Sequence, residues 1–201
     1  MKKLLMTAAL GGFLLAAPLV QAAVKVGEKV PDFTLTDTAG KARSLSEFAG
    51  KTVVLEWTNP GCPFVKKHYD SGNIPTQQKD AAAAGAVWLS INSSAQGKQG
   101  DVTADEAIKL GSQWKAVPTA YLFDRDGKVG QAYGAKTTPQ IYVIDGKGVL
   151  RYNGAIDSIA TPKQEDLARA TQYVPGVLAA ISAGKAVTPA TTQPYGCSVK
   201  Y

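Results

Sequence analysis

Two cysteines carry the chemistry that this sequence offers, and the first has an informative setting. Cys62 follows the apolar, β-branched run Val53–Trp57 and the turn-forming residues Asn59-Pro60-Gly61. Pro63 comes next, and proline is favoured at the first position of a helix. The pattern predicts a strand, a tight turn and a helix that begins at the thiol. Because unpaired backbone N–H groups and the helix dipole stabilise a thiolate there, Cys62 is the candidate nucleophile.

The second cysteine, Cys197, lies near the end of the chain. In an oxidising compartment it can form a disulfide with Cys62, either as a redox-active pair or as a structural crosslink. A structural crosslink that closes so long a loop would stabilise the fold by about 4 to 5 kcal/mol in the loop-entropy model. We therefore predict Cys62 and Cys197 as catalytic residues, with a purely structural disulfide as the alternative.

The first residues have the three parts of a secretory signal. Two lysines form a charged start, an apolar run covers Leu4–Val20, and small residues precede the expected cleavage point. We expect a signal peptide at residues 1–22, a mature chain that begins at Ala23, and a location in a bacterial periplasm. After cleavage we expect no association with the membrane.

The composition is that of a globular domain with a mildly basic surface. The chain has 201 residues, with 22 basic and 16 acidic side chains and a formal net charge of +6 at pH 7. Since the basic residues are scattered, no nucleic-acid interface is expected. One histidine and two distant cysteines make a metal site a poor fit, and no cofactor is expected.

The strands form an α/β pattern around the one that leads to Cys62. Alternating residues on both sides of the Ala39-Gly40 turn predict an N-terminal β-hairpin. Further buried strands are expected at Ala86–Asn92 and in two similar segments, Pro118–Asp124 and Pro139–Asp145. A last strand after the second segment should pair back antiparallel to it. This order predicts a central mixed sheet flanked by helices.

Helical segments are expected between these strands. They are a helix from Pro63 that bends near Gly72 and Pro75, a helix capped by Thr103 and Glu106, a short helix at Gly127–Ala135, and a C-terminal helical region that is capped by Thr161 and Gln164 and divided by Pro175. Residues 186–201 are rich in threonine and proline and should form an extended tail.

In this order the motifs resemble the thioredoxin superfamily, and within it an exported, peroxiredoxin-like branch of the alkyl hydroperoxide reductase/thiol-specific antioxidant (AhpC/TSA, redoxin) group. The resemblance is carried by Pro31-Asp32-Phe33, by Trp57–Val65, by Tyr133–Pro139 and by Gly196–Lys200. It implies a thioredoxin-like α/β fold with an N-terminal β-hairpin extension. The redoxin domain would cover residues 23–185, and the tail at 186–201 would carry Cys197.

The resemblance also implies a cis proline that faces the redox cysteine. Pro139 is the choice, because a hairpin and the final helix follow it, and Pro118 is the alternative. The residue before this proline presents its backbone to the bound partner in the superfamily. Thr138 and Pro139 are therefore predicted to contact the substrate or partner.

The sequence departs from both branches of the superfamily around Cys62. Val65 stands where thioredoxins have the second thiol of Cys-x-x-Cys. Leu55 and Asn59 stand where peroxiredoxins have the proline and threonine of Pro-x-x-x-Thr-x-x-Cys. Thr58 is one residue away and the Asn59 amide can donate a hydrogen bond, so Thr58 and Asn59 are the candidate substrate-binding side chains.

The function implied by the resemblance is that of an exported, thiol-dependent antioxidant oxidoreductase. Cys62 would reduce a peroxide and become a sulfenic acid, which Cys197 would resolve to a disulfide. The bond would form within the chain or across a homodimer, and an exported thioredoxin-like protein would reduce it. The alternatives are thiol–disulfide exchange and a non-catalytic binding module with a structural Cys62–Cys197 disulfide.

Polar residues near Cys62 complete the set of candidates. His68 lies about 240° round the helix from Cys62, so we expect it on a solvated face. Glu56 is either exposed at the strand end or buried as a candidate proton carrier. Lys66 or Lys67 is expected to add positive charge beside the thiolate.

Overall fold

A computed structural model describes residues 23–201, and the predicted signal peptide lies outside this range. The strands are β1 (Thr34–Asp37), β2 (Ala42–Ser44), β3 (Val53–Trp57), β4 (Val87–Asn92), β5 (Ala120–Phe123), β6 (Thr137–Thr138), β7 (Gln140–Ile144), β8 (Leu150–Gly154) and β9 (Cys197–Ser198). The α-helices are α1 (Pro63–Asp70), α2 (Asn73–Ala83), α3 (Ala104–Trp114), α4 (Lys128–Tyr133) and α5 (Tyr173–Ser182). Short 3-10 helices occupy Leu45–Phe48 and Gln164–Arg169.

A seven-stranded mixed sheet forms the centre, in the order β2-β1-β5-β4-β3-β7-β8. Strand β3 pairs parallel with β4 and antiparallel with β7. All its residues are buried because the sheet is covered on both faces, as its apolar sequence predicts. The N-terminal hairpin of β1 and β2 extends the sheet at one edge, and the antiparallel return strand is β8. The thioredoxin-like α/β fold expected from the sequence is therefore confirmed.

The two faces of the sheet bury separate apolar clusters because successive side chains of a strand point to opposite sides. Leu55 and Trp57 of β3 pack with Tyr133 of α4 on one face. Val54 packs on the other face with residues of α1, α2 and α5. Burial of each large apolar side chain contributes about 1.5–3 kcal/mol relative to exposure. This packing fixes the C-terminal end of β3, where Cys62 follows.

Most of the helix predictions are confirmed. The helix after Cys62 is interrupted between α1 and α2, where Gly72 adopts a left-handed φ of +75°. Thr103 and Glu106 form the expected reciprocal capping box of α3. Within residues 23–201 we find no helix long and apolar enough to cross a membrane.

The C-terminal helical region differs from the prediction. Pro175 does not divide it, because it lies in the first turn of α5, where no intrahelical N–H partner is lost. The break falls before Tyr173, after a 3-10 helix that has Lys163 at its N-cap. Thr161 caps no helix and instead donates its hydroxyl to Asp166. The proline was therefore read as the break between two helical pieces, whereas it lies just after that break, at the start of α5.

Candidate active site

Cys62 occupies the N-cap position of α1, with Pro63 as the first helical residue. Its N–H donates to the carbonyl of Asn59 at 3.0 Å, and its own carbonyl accepts from the N–H of Lys66 at 2.9 Å. These two bonds close the turn and start the helix, as the sequence predicts. The cysteine is buried, with a relative exposure of 0%.

The strand β6 brings a backbone carbonyl onto the Cys62 sulfur. The Thr138–Pro139 peptide bond is cis, and this residue pair is the one chosen from the sequence over Pro118. The thiol of Cys62 donates to the carbonyl oxygen of Thr138 at 3.2 Å. Thr138 and Pro139 therefore lie against the candidate nucleophile, as the resemblance implies.

The C-terminal tail brings the second cysteine to the same place. Strand β9 pairs antiparallel with β6, and Cys197 is the register partner of Thr138. The N–H of Cys197 donates to the Cys62 sulfur at 3.4 Å. Both cysteines are free thiols, and Cys197 is the more exposed of the two. Two cysteines that are 135 positions apart in the sequence are thus in contact within a single chain.

Gly196 makes this close approach possible. Its φ of +120° is a conformation that L side chains rarely adopt. A Cβ atom at this position would also overlap the carbonyl oxygen of Thr138. Only glycine lets the tail lie this close to β6.

The surroundings of the two thiols shift their pKa values in opposite directions. Burial opposes ionisation of Cys62, but the thiol and N–H of Cys197, the Thr138 side chain and the N–H of Val65 outweigh it and lower the pKa of Cys62. Burial, together with the hydrogen bond to the Cys62 thiolate, raises the pKa of Cys197 to about 11. Cys62 is therefore the more acidic thiol of the pair, and Cys197 is the weaker acid.

The tail is fastened on both sides of Cys197. Before it, the Thr192 hydroxyl accepts from the N–H of Ala155 at 2.9 Å. After it, the N–H of Val199 donates to the carbonyl of Lys136 at 3.0 Å. The Tyr201 hydroxyl also donates to the carbonyl of Ala135 at 2.8 Å. The tail thus forms a strap over Cys62, which explains why this residue is buried.

The side chains of Thr58 and Asn59 are both buried and engaged within the protein. The amide oxygen of Asn59 accepts from the N–H of Gly61 at 2.8 Å, and its nitrogen donates to the carbonyl of Gln99 at 3.0 Å. The N–H of Thr58 donates to the carbonyl of Ile91 at 2.9 Å, and its side chain is one of the groups that lower the pKa of Glu56. In this state both residues hold the turn before Cys62, and their contact with a substrate stays a prediction.

Glu56 is buried, which decides between the two alternatives left by the sequence. Its carboxyl oxygens accept from the indole of Trp88 at 2.8 Å, the hydroxyl of Ser90 at 2.9 Å and the hydroxyl of Tyr69 at 3.0 Å. Burial raises the pKa of Glu56 despite these donors. Glu56 is therefore a buried carboxyl group with a raised pKa, in the strand that leads to Cys62.

The prediction of a solvated His68 is wrong, since this residue is fully buried. Burial lowers its pKa to about 4, which makes it neutral at pH 7. The neighbouring Lys67 is also buried and forms an ion pair with Asp157 at 3.0 Å. Its charge is therefore neutralised by Asp157 rather than free to act on Cys62. No local signal identifies these residues, because their partners Asp157 and Tyr195 are distant in the sequence.

A cleft of about 560 Å³ opens between α3 and the turn before Cys62. Thr58, Pro60 and Trp114 are among the residues that line it, and Cys62 is not. Within residues 23–201, we find no group of three His, Cys, Asp or Glu side chains placed to hold a metal ion. The chemistry that the arrangement supports is that of the two thiols.

Comparison with known proteins places this site in a family. The Redoxin family model matches residues 25–171. The chain is 29% identical over 147 residues to the thiol:disulfide interchange protein DsbE of Vibrio cholerae, covering 72% of this chain and 73% of that protein. It is 32% identical over 139 residues to a chloroplastic peroxiredoxin Q of Triticum aestivum, covering 64% of this chain and 58% of that protein.

Among solved structures, an uncharacterized conserved protein from Geobacillus kaustophilus has a similar fold. Its TM-score is 0.74 at 24% sequence identity, over 88% of this chain and 92% of that one. The Redoxin match includes Cys62 and Pro139 and ends before the tail that carries Cys197. The chain therefore belongs to the Redoxin (AhpC/TSA) family of the thioredoxin superfamily, in which its relatives are thiol–disulfide oxidoreductases and peroxiredoxins.

Proposed function

We propose that this protein is a thiol–disulfide oxidoreductase whose redox pair is Cys62 and Cys197 of the same chain. The observation that carries the proposal is the 3.4 Å hydrogen bond from the N–H of Cys197 to the Cys62 sulfur. Thioredoxins obtain such a pair from a local Cys-x-x-Cys motif, and here Val65 replaces the second thiol. In this chain the C-terminal tail supplies the second thiol, Cys197.

The reaction uses the two thiols in order. The Cys62 thiolate attacks a substrate disulfide, which forms a mixed disulfide at Cys62 and releases one substrate thiolate. Cys197 then loses its proton to solvent and attacks the Cys62 sulfur. This second step forms the Cys62–Cys197 disulfide and releases the other substrate thiolate. The substrate gains two electrons, and a thioredoxin-like dithiol protein returns two electrons to the oxidised pair.

The pKa values support this order. The lowered pKa of Cys62 favours the thiolate that the first attack needs, and the raised pKa of Cys197 keeps that thiol protonated until the mixed disulfide has formed. Thr138 and Pro139 offer the backbone edge for the substrate chain, an edge that Cys197 occupies in the reduced protein. The tail must therefore move aside when a protein substrate binds.

Peroxide reduction is the second candidate, favoured by the lowered pKa of Cys62 and by the similarity to a peroxiredoxin. The thiolate would attack a peroxide, giving a sulfenic acid at Cys62 and an alcohol or water. Condensation with Cys197 would then form the disulfide and release water. The Asn59 amide would bind the peroxide only after breaking its present bonds to Gly61 and Gln99, so this activity ranks second.

We propose the periplasm as the place of action, in line with the predicted signal peptide. Disulfides form and persist in oxidising compartments such as the bacterial periplasm, so substrates for this reaction are available there. The measurement is the N-terminal sequence of the protein recovered from a bacterial periplasmic fraction. A chain that begins at Ala23 is expected, and an uncleaved chain in the cytosol would contradict export.

The activity is tested with residues 23–201 of the wild type and of the Cys62→Ser and Cys197→Ser variants. Each reduced protein receives one equivalent of glutathione disulfide or of hydrogen peroxide, and mass spectrometry identifies the products. With glutathione disulfide, the wild type should form the Cys62–Cys197 disulfide, Cys197→Ser should stop as a glutathione adduct at Cys62, and Cys62→Ser should be inert.

The same experiment separates the candidates. Sulfenic acid in Cys197→Ser after hydrogen peroxide, formed faster than the glutathione adduct, would rank peroxide reduction first. A glutathione adduct that persists equally in wild type and Cys197→Ser would remove Cys197 from the mechanism. A Cys62–Cys197 disulfide with a potential below about −300 mV and no turnover would indicate a structural crosslink.

A further inference from the structure

We propose that Tyr195 and Asp157 position Cys197 for its reaction with Cys62, through a buried ion pair with Lys67. This inference rests on the proposed function, because it concerns the formation of the Cys62–Cys197 bond. Tyr195 lies two residues before Cys197 in the tail, and Lys67 lies on the helix that begins at Cys62. The tail that carries Cys197 and the helix that begins at Cys62 therefore come together at a second point, the side chain of Asp157.

The ion pair is fully removed from solvent. The Lys67 ammonium lies 3.0 Å from a carboxylate oxygen of Asp157, and both side chains have a relative exposure of 0%. The Lys67 ammonium also donates a hydrogen bond to the carbonyl of Ile159 at 3.0 Å. A buried charge pair with these further hydrogen bonds has little freedom to rearrange, because any separation leaves a charge without a partner. The position of Asp157 relative to α1 is therefore fixed.

Tyr195 connects the tail to this pair. Its hydroxyl donates to the second carboxylate oxygen of Asp157. Its ring lies 5.6 Å from the Lys67 ammonium and 5.8 Å from the ring of Phe64. The tail is thus held to α1 by a hydrogen bond to a charged group and by two contacts of the ring.

His68 completes the hydrogen bonding of Tyr195. Its Nε2 lies 3.1 Å from the Tyr195 hydroxyl oxygen, and its Nδ1 lies 2.7 Å from the amide nitrogen of Asn73. Because the tyrosine proton points to Asp157, the neutral histidine must donate from Nε2 and accept at Nδ1. The hydroxyl group of Tyr195 is therefore a donor to one residue and an acceptor from another, which fixes its orientation.

On the N-terminal side of Cys197, this network lies nearer to the thiol than the contact of Thr192 does. Thr192 lies five residues before Cys197, whereas only Gly196 separates Tyr195 from it. After Cys197, the N–H of Val199 holds the tail to the carbonyl of Lys136. Gly196 has no side chain to restrict the backbone, so an anchor is needed directly before it. The Tyr195 hydroxyl supplies that anchor and raises the effective concentration of the Cys197 thiol at Cys62.

The test is the equilibrium between two oxidised forms in glutathione buffers. A glutathione adduct at Cys62 plus the thiol of Cys197 gives the Cys62–Cys197 disulfide plus reduced glutathione. The ratio of the two protein forms at a known glutathione concentration measures the effective concentration of Cys197. Tyr195→Phe keeps the ring and removes only the hydroxyl group. It should lower the effective concentration about tenfold, which makes the disulfide potential about 30 mV less negative.

Tyr133→Phe is the matched control. The Tyr133 side chain is buried, and its hydroxyl donates to the carbonyl of Pro31 at 2.6 Å, with no residue of the tail involved. This variant should keep the wild-type effective concentration. A loss in both variants would indicate a general effect of removing a buried hydroxyl and would overturn the positioning role.

The remaining outcomes are also decisive. An unchanged or higher effective concentration in Tyr195→Phe would overturn the inference, while the Cys62–Cys197 disulfide would still support the proposed function. A wild type that forms no such disulfide would overturn both. If circular dichroism shows that Tyr195→Phe does not fold, the double variant Lys67→Met, Asp157→Leu replaces the ion pair by apolar side chains and keeps Tyr195. It should show the same tenfold loss, and a wild-type value would contradict the proposal.

Discussion

The N–H of Cys197 donates to the Cys62 sulfur at 3.4 Å, so two cysteines that are 135 positions apart in the sequence meet in the fold. The thiol of Cys62 in turn donates to the carbonyl of Thr138, the register partner of Cys197. Cys62 is thus enclosed by a helix N-terminus, the cis-proline strand and the tail. Thioredoxins have a local Cys-x-x-Cys motif, whereas in this chain the tertiary structure places the second cysteine beside the first.

Removal of the Cys197 side chain should make Cys62 a weaker acid. The thiol of Cys197 is one of the donors that lower the pKa of Cys62, so Cys197→Ala should shift the alkylation of Cys62 by iodoacetamide to higher pH. Cys197→Ser keeps a donor at this position and should shift the profile less. Identical alkylation profiles in the wild type and Cys197→Ala would show that the Cys197 side chain does not stabilise the thiolate.

A side chain at Gly196 should separate the two thiols. In Gly196→Ala the new Cβ overlaps the carbonyl oxygen of Thr138, and the φ of +120° is strained, at a cost of about 1–3 kcal/mol. We expect lower stability in urea and a slower formation of the Cys62–Cys197 disulfide. Gly184→Ala has a left-handed φ of +64° with no atom within 4 Å of the new Cβ. This control should lose stability only, and a normal rate of disulfide formation in Gly196→Ala would contradict the predicted role of Gly196.

Breaking the buried ion pair should destabilise the protein strongly. Lys67→Met leaves the Asp157 carboxylate buried without its cation, which should lower the free energy of unfolding by about 3–5 kcal/mol. Urea denaturation measures this loss. Replacing both partners by apolar residues should recover most of it, because no uncompensated charge then remains.

The exposed ion pair between Lys128 and Asp126 provides the control for this measurement. Its side chains have relative exposures of 83% and 56%, so solvent screens the attraction. Lys128→Met should therefore leave the urea midpoint almost unchanged. A similar loss of stability in Lys67→Met and Lys128→Met would show that burial does not decide how much an ion pair contributes to the free energy of unfolding.

The neutral His68 should make stability depend on pH. Burial lowers its pKa from 6.5 to about 4, so between these values the unfolded chain binds a proton that the folded protein does not. Stability must then fall as the pH decreases, by about 2 kcal/mol between pH 7 and pH 5 from this group. Urea denaturation at both pH values of the wild type and His68→Gln measures it. The variant should lose that part of the dependence, and equal slopes would contradict a depressed pKa.

Several elements follow from local sequence signals. The strand–turn–helix around Cys62 is encoded by an apolar run, an Asn-Pro-Gly turn and a proline at the first helical position. The Thr103–Glu106 capping box is equally local. The choice of Pro139 as the cis proline needed the order of the following elements as well. Pro175 shows the limit of such signals, because a proline that breaks a helix interior is tolerated in a first turn.

The prediction of a solvated His68 failed for a different physical reason, which also applies to the choice of Lys67 beside Lys66 as a charge near Cys62. Both were assigned from their place on one helix, and a helix exposes only the faces that no other segment covers. Asp157 and Tyr195 cover this face, and the order of residues along the chain does not reveal that contact. Whether Glu56 is buried could not be decided from the sequence for the same reason, since its hydrogen-bond donors Trp88 and Ser90 come from the neighbouring strand β4.

The sequence by itself determined the α/β order, the position of Cys62 at a helix N-terminus and the presence of a second cysteine in a terminal tail. These features depend on local propensities, turn residues and apolar periodicity. Only the tertiary structure decided that Cys197 meets Cys62 within one chain, that their pKa values diverge, and that Lys67, Asp157 and Tyr195 join the tail to α1. Each of these outcomes depends on distances between residues far apart in the chain, which are set by the packing of the whole fold.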